Sequence, residues 1–160
     1  MNRQSVIINS GPLIALERVE QLTLLPKLFE TVIVPQPVFE EVSSQSPYPF
    51  SALPSEISIE PLTTTLDPLL HHTLDKGEAS VIQLARERSI EQVIIDERKG
   101  RKIARLYHLQ TWGTARVLVE AKQAGCLESV ARTLEQMRKQ RYWISDTIYQ
   151  WACRMAGEAE

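Results

Sequence analysis

The stretch VIINSGP, residues 6–12, decides the predicted fold. Its first three residues are apolar and β-branched, and the polar and turn-forming residues after them end the run at once. Such a run is typical of a short buried strand whose carboxyl end leads into a turn. Pro12 suits the first position of a helix, because that N–H has no partner within a helix in any case. The sequence therefore predicts a strand at 6–8 and a helix from Pro12, with an apolar face formed by Leu13, Ile14, Leu16 and Val19.

The same signals recur along the chain. Residues 31–34 and 93–95 are further β-branched runs, residues 22–28 show a short helical pattern, and a helix is predicted from about Pro37. Strands that alternate with helices favour a mainly parallel sheet with helices on both faces. The sequence therefore predicts a three-layer α/β/α fold with a helical C-terminal region, and a single domain over residues 1–160.

The remaining segments are less regular. Residues 43–61 include the Ser- and Pro-rich run SSQSPYPFSALPSE and predict a long surface loop with an edge strand at 57–59. A helix that begins at Asp67-Pro68 is expected to end before Gly77, and a largely buried helix follows. Residues 112–114 are predicted to form a turn into another helix. Two apolar stripes predict the last helices: Leu127, Val130, Ala131, Leu134 and Met137, then Ile148, Trp151, Ala152 and Met155. We expect Trp151 to lie in the core.

Composition places the chain among soluble globular proteins, with 43% apolar and 24% charged residues. No run reaches the roughly 18 apolar residues of a membrane-spanning helix, and polar residues interrupt the one stretch that resembles a signal peptide. Cys126 and Cys153 provide neither a disulfide framework nor paired zinc spacing. We therefore expect a cytoplasmic protein with no membrane partner.

The net charge of −2 conceals an uneven distribution. Residues 1–97 carry 14 acidic and 6 basic side chains, whereas residues 98–160 carry 12 basic and 6 acidic ones. This asymmetry is typical of a protein with metal-binding acids in one half and a nucleic-acid contact in the other. A chance distribution over a solvated surface gives the same numbers, so the charges alone leave both interpretations open.

Polar side chains follow the predicted strands where the strands end. Asn9 follows the first strand, and Asp96 with Glu97 follows a later one. Two helix starts add Glu41 and Glu78. Ligands of parallel sheets bind beyond the carboxyl ends of the strands, so these side chains are candidates for one site. A cluster of oxygen ligands without His or Cys suits Mg²⁺ or Mn²⁺.

Each of these side chains also has an explanation without a site. Glu78 in a first helical turn stabilises the helix dipole, and Asp96 is a candidate cap for the helix after it. Glu40 and Glu41 both suit a solvated helix face. Glu41 lies nearer the apolar face of its helix, however, whereas Glu40 points away from it, so Glu41 is the better candidate for an inward-facing acid.

A basic segment comes directly after the candidate acids. Its basic residues on one predicted helix face are Arg98, Arg101, Lys102 and Arg105. The opposite face carries Ile103, Leu106 and Tyr107. Such a stripe suits a phosphate backbone, and a solvated helix face is the alternative. Because no ordered aromatic pattern accompanies the stripe, sequence-specific reading of RNA is not predicted.

Several motifs together resemble a known family. The segment VIINSGPLIALERVEQLTLLPKLFETVIVPQPVFEEV is similar to the opening of PIN-domain proteins, whose pattern begins with a strand ending in Asp-Thr-Ser-Pro-Leu-Ile. The later motifs LDKGEASVIQLARE, QVIIDERKGRKIA, WGT and RYWISDTIYQWACRMAGE resemble one PIN-like subfamily that is similar to the toxin nucleases of toxin–antitoxin pairs. The resemblance spans almost the whole chain.

The resemblance implies a Mg²⁺- or Mn²⁺-dependent endoribonuclease that cleaves RNA phosphodiester bonds. The family's four acidic positions fall on Asn9, Glu41, Glu78 and Asp96, with Glu97 as a neighbour. Ser10 and Thr114 are implied as supporting hydroxyls, and Thr114 is also a candidate helix cap. The resemblance further implies an antitoxin-like protein partner and a homodimer.

The chain departs from the family pattern at several positions. Asn9 stands at the first acidic position, Gly11 replaces a Ser, and Arg116 lies in the motif that begins with Gly113. With Asn9, the four positions carry a charge of −3 instead of −4, which weakens binding of a divalent cation. Arg116 is a candidate to enter the cleft and hold phosphate. Two functions stay open: a weakened metal-dependent ribonuclease, or a degenerate PIN fold that binds RNA or a protein partner without cleavage.

Overall fold

The computed structural model describes residues 3–45 and 53–158. These residues form a five-stranded sheet in the order β3-β2-β1-β4-β5, in which every neighbouring pair is parallel. This confirms the predicted α/β architecture with a parallel sheet. The strands are β1 (Val6–Ile8), β2 (Val32–Pro35), β3 (Ile57–Glu60), β4 (Gln92–Ile94) and β5 (Gln110–Trp112).

The central strand β1 explains the apolar run at the start of the chain. Ile7 pairs with Ile33 of β2 on one side and with Val93 of β4 on the other. All three residues of β1 are fully buried. A strand buried on both faces reads as a continuous apolar run, because neither face alternates with polar residues.

Helices surround this sheet. Helix α5 packs on β1, β2 and β4, whereas α7 contacts α1 and α2 on one side and α8 and α9 on the other. Across the described ranges, no helix combines the length and the apolar character that a membrane span requires. The helices are α1 (Ser10–Arg18), α2 (Leu24–Leu28), α3 (Gln36–Gln45), α4 (Pro68–Thr73), α5 (Lys76–Glu87), α6 (Arg98–Leu106), α7 (Thr114–Gln123), α8 (Val130–Lys139) and α9 (Asp146–Met155).

Two predicted helix starts need correction. Helix α1 begins at Ser10 with Asn9 as its N-cap residue, so Pro12 is the third residue of the helix and not the first. Helix α5 begins at Lys76, which places Gly77 inside the helix. Proline is tolerated throughout the first turn, because those N–H groups have no partner within the helix, and its presence therefore does not fix the first residue.

The predicted loop and edge strand are only partly described. Helix α3 continues to Gln45, residues 46–52 lie outside the described part of the chain, and β3 forms the predicted edge strand. The other edge strand, β5, has no counterpart among the predicted strands, and its last residue, Trp112, falls in the predicted turn at 112–114. Its sequence Gln-Thr-Trp is polar and partly exposed, so it lacks the apolar run that marked the inner strands.

The predicted core position of Trp151 is wrong. Its side chain is 36% exposed, and Ile148 and Met155 on the same face of α9 are exposed as well. Helix α9 instead buries Ala152 and Cys153. The helical period identified an amphipathic helix, but small residues make its buried contact and the large apolar side chains face outward.

Candidate functional site

The predicted side chains gather at the carboxyl ends of β1 and β4. Asn9 directly follows β1, and Asp96 lies two residues beyond β4. The two strands are neighbours, and the Asn9 N–H donates to the carbonyl of Ile94 over 3.0 Å. The strand pairing therefore brings Asn9 and Asp96 to the same edge of the sheet.

Gly77 marks the centre of one group of oxygens. A methyl group on Gly77 would lie 2.7 Å from Glu41 Oε2, 3.3 Å from Asn9 Oδ1 and 3.5 Å from Asp75 Oδ1. These three side chains come from α3, the end of β1 and the start of α5. A glycine at this position leaves space for oxygens from three distant parts of the sequence to converge.

Asn9 contributes an unpaired acceptor to this group. The residue is only 4% exposed, and among the described residues Oδ1 has no hydrogen-bond partner. A buried acceptor without a partner destabilises a protein by about 1–3 kcal/mol. An oxygen left unpaired beside carboxylates is suited to a cation, which would satisfy it.

Burial and nearby negative charges raise the pKa values of two glutamates at this group. The pKa of Glu78 is raised to about 7. The largest cause is burial, followed by the charge of Asp75 and a hydrogen bond with Asp75, and then by the charges of Glu97 and Glu41. Burial and Asp75 also raise the pKa of Glu41, and the Ser10 hydroxyl, which donates to Glu41 Oε1 over 3.4 Å, opposes the rise. Asn9, Glu41, Asp75 and Glu78 together form an acidic hollow. Its carboxylates do not all ionise readily unless a cation balances their negative charge.

Asp96 belongs to a second, adjacent group. Its carboxylate accepts the Thr114 N–H over 2.8 Å and the Thr114 hydroxyl over 2.6 Å. Asp96 thus satisfies the start of α7, whose N-cap residue is Gly113, so Thr114 does not cap that helix as predicted. Asp96 does not cap α6 either, because the N-cap residue there is Glu97. The charge of Glu97 acts on both Glu78 and the Asp96 group.

Tyr142 is a site residue that the sequence did not reveal. Its hydroxyl donates to Asp96 Oδ2, and a methyl group on Gly11 would lie 3.6 Å from the same hydroxyl. Burial, followed by the charge of Asp96, raises the pKa of Tyr142, so the hydroxyl keeps its proton. Tyr142 lies between α8 and α9, and no local pattern indicates a residue that meets its partner 46 positions away.

Arg101 points from α6 toward the same carboxylate. A methyl group on Gly113 would lie 3.2 Å from Asp96 Oδ1 and 3.4 Å from Arg101 Nη1. Burial, and then the charge of Arg105, lowers the pKa of Arg101, whereas Asp96 opposes this change. The guanidinium is therefore held at the boundary between the acidic groups and the basic helix.

A groove of about 1190 Å³ begins at Asp96. Its basic lining residues are Arg98, Arg101, Arg105 and Arg116. Its lining also includes Trp143, Ile148 and Trp151. The Arg116 guanidinium stacks on the Trp112 ring at 3.9 Å from the ring centroid, so Arg116 lies in the groove rather than among the carboxylates.

Two residues of the predicted basic helix lie differently from expectation. Lys102 is exposed and is not among the residues that line the groove. Leu106, predicted on the apolar face, is 68% exposed. Helix α6 buries Gly100 and Ala104 instead. At Gly100, Glu78 Oε2 and Ile95 occupy the space that a side chain would need.

Comparison with known families agrees with this architecture. A family model described as a PIN domain matches residues 5–158. The chain belongs to the PIN-domain family. No curated protein shows significant similarity to it. The PIN domain suggests a nuclease-like fold, and the groove and the acidic hollow of this PIN domain lie together at the carboxyl edge of its sheet.

The donor set fits a hard divalent cation in part. Within 3–45 and 53–158, no three His, Cys, Asp or Glu side chains form a metal-ligating group. The group around Gly77 in this PIN domain instead combines two carboxylates with the unpaired amide oxygen of Asn9. Carboxylate and amide oxygens are ligands that Mg²⁺ and Mn²⁺ accept, and water completes their coordination in many sites.

Proposed function

We propose that this PIN domain is a Mg²⁺- or Mn²⁺-dependent endoribonuclease. Asn9, Glu41, Glu78 and Asp96 would hold the ion, with Glu97 beside them. The observation that carries the proposal is the convergence of two oxygens beside Gly77. Glu41 Oε2 and the unpaired Asn9 Oδ1 both lie within 3.3 Å of the position that a methyl group on Gly77 would occupy. A cation there relieves both the unpaired acceptor and the repulsion among the carboxylates.

The chain's own side chains have distinct parts in the proposed reaction. A bound divalent cation supplies an activated water and neutralises charge on the phosphate. Thr114 and Tyr142 fix the orientation of the Asp96 carboxylate. Burial and the nearby carboxylates raise the pKa of Glu78 in the metal-free protein, and a bound cation would favour its ionised form.

The groove supports single-stranded RNA as the substrate. Arg98, Arg101 and Arg105 lie along one side and are suited to successive phosphates. Trp143 also lines the groove and is 82% exposed, which leaves its ring free for an unpaired base. A groove that combines basic and aromatic side chains is typical of sites that hold a flexible single strand.

A second candidate function is RNA binding without cleavage. The observation that favours it is the state of Asp96, whose carboxylate already accepts hydrogen bonds from Thr114 and Tyr142. Together with the neutral Asn9, this leaves less negative charge free for a cation. An antitoxin-like partner and a homodimer remain further proposals, for which the exposed apolar face of α9 is a candidate surface.

Cleavage of a labelled single-stranded RNA tests the two functions against each other. We expect the protein to cut the strand internally when Mn²⁺ or Mg²⁺ is present and to stop when EDTA removes the ion, because the proposed reaction depends on the ion to activate water. Binding of the RNA with no cleavage in either ion would favour the second function. Cleavage that persists in EDTA would contradict the metal-dependent one.

Two substitutions on α6 test the groove in the same assay. We expect Arg105→Gln to lower the slope of log affinity against log salt concentration by about 0.7, which is the contribution of one phosphate contact to a single strand. Lys102→Gln removes the same charge from the same helix but outside the groove lining, and we expect it to leave the slope nearly unchanged. Equal effects of the two variants would contradict this path for the RNA.

A further inference from the structure

Asp75 is an acidic residue at the hollow that is not among the four acidic positions implied by the resemblance. It is the N-cap residue of α5, and its Oδ1 accepts the Glu78 N–H over 2.8 Å. The same oxygen would lie 3.5 Å from a methyl group on Gly77, on which Glu41 Oε2 and Asn9 Oδ1 also converge. Asp75 therefore adds a carboxylate oxygen to the group that includes the unpaired oxygen of Asn9.

The capping role alone does not require a charge at this position. Asn, Ser and Asp cap helices about equally well, because one side-chain oxygen suffices to accept the N–H. A charged cap here lies close to two glutamates, because its Oδ1 accepts the Glu78 N–H and shares the space beside Gly77 with Glu41 Oε2, so the like charges repel each other. In a metal-free protein that repulsion is unfavourable, so a neutral cap would be the more stable choice.

Asp75 also lies where it can provide the negative charge that Asn9 does not bring to the hollow. Asn9 is buried and neutral, and its Oδ1 has no hydrogen-bond partner in the described part of the chain. Asp75 is exposed, so a hydrated ion can reach it without first crossing the protein interior. The buried amide oxygen of Asn9 and the exposed carboxylate of Asp75 together offer a cation one neutral and one charged ligand.

We propose that Asp75 supplies to the metal site the negative charge that Asn9 lacks, so that the charge missing from the first position is provided from the start of α5. This inference rests on the proposed function for the identity of the ion. The geometry around Gly77 supports it, because the oxygens of Asp75, Asn9 and Glu41 share one space. A divalent cation in that space satisfies the amide and balances both carboxylates.

Calorimetric titration with Mn²⁺ tests the inference without any RNA. We expect Asp75→Asn to weaken Mn²⁺ binding by about tenfold or more. Because Asn also caps, the melting temperature in EDTA should be unchanged or higher.

The double variant Asp75→Asn with Asn9→Asp returns the charge to the first position, and we expect it to recover most of the wild-type affinity. Asp67→Asn is the matched control, since Asp67 caps α4 in the same way.

The outcomes separate this inference from the proposed function. Mn²⁺ binding to the wild type that is unchanged in Asp75→Asn would overturn the role of Asp75 and leave the ribonuclease proposal standing. Loss of binding that the double variant does not restore would overturn the exchange of charge between the two positions. No Mn²⁺ binding to the wild type at millimolar concentration would overturn both. If Asp75→Asn melts below the wild type in EDTA, Asp75→Ser provides a second neutral cap for the same comparison.

Discussion

Replacing Glu41 with Gln is expected to lower metal-dependent RNA cleavage by about 100-fold or more, which is the usual effect of removing a charge that acts in the transition state. Of the oxygens beside Gly77, Glu41 Oε2 is the one that a methyl group on Gly77 would approach most closely, at 2.7 Å. Gln keeps the size and one oxygen of the side chain but removes the charge that binds the ion. Initial cleavage rates at saturating Mn²⁺ measure the effect.

The neighbouring glutamate provides a matched control. Glu40 is exposed on the same helix and accepts a hydrogen bond from Gln36 over 3.2 Å. We expect Glu40→Gln to cleave RNA at the wild-type rate, because its carboxylate does not face the hollow. Cleavage by Glu41→Gln at the rate of Glu40→Gln would contradict the assignment of Glu41 to the site.

Filling the space at Gly77 is the second change with a large expected effect. The methyl group of Gly77→Ala has to displace the ends of Glu41 and Asn9, so we expect Mn²⁺ affinity to fall by about tenfold or more. The stability of the metal-free protein should change little, because Ala in a helix is favoured over Gly by about 0.5–1 kcal/mol and this offsets the displacement. Calorimetry with Mn²⁺ and thermal melts in EDTA measure the two quantities separately.

Gly11→Ala controls for the substitution itself. Gly11 also lies in the first turn of a helix at the site, but a methyl group there would make an ordinary contact of 3.6 Å with the Tyr142 hydroxyl. We expect it to bind Mn²⁺ as the wild type does. If Gly77→Ala also binds Mn²⁺ normally, the ion does not lie among Glu41, Asn9 and Asp75.

The sequence was sufficient to predict which strand ends meet. The β-branched runs before Asn9 and Asp96 marked buried strands, and the rule that parallel sheets bind ligands at their carboxyl edge indicated a common location. The structure has β1 and β4 as neighbours, as this interpretation requires. Patterns of apolar residues carry this information because burial on both faces leaves little choice of residue type.

Side-chain directions within the site could not be read from the sequence. The sequence did not single out Asp75, and its nearness to Glu41 depends on how α3 packs against α5. Tyr142 reaches Asp96 from a segment 46 residues away. Contacts of this kind are set by the packing of whole elements, and no local periodicity records them.

Edges and outward faces were also difficult to predict. Strand β5 borders the sheet and has a polar sequence, so it lacked the signal of an inner strand. Trp151 lies on a regular apolar stripe, yet Trp151 and Ile148 line the groove, and only Ala152 of that stripe is buried in the core. Helical periodicity identifies an apolar face but does not specify what the face contacts.

Anomalous diffraction from a crystal soaked in Mn²⁺ tests the central claim most directly, because it locates the ion independently of any activity. We predict a strong anomalous peak within coordination distance of the oxygens of Asn9 and Glu41, beside Gly77 and at the carboxyl end of β1. A fully soaked crystal with no peak there, or with its only peak elsewhere on the molecule, would contradict the account.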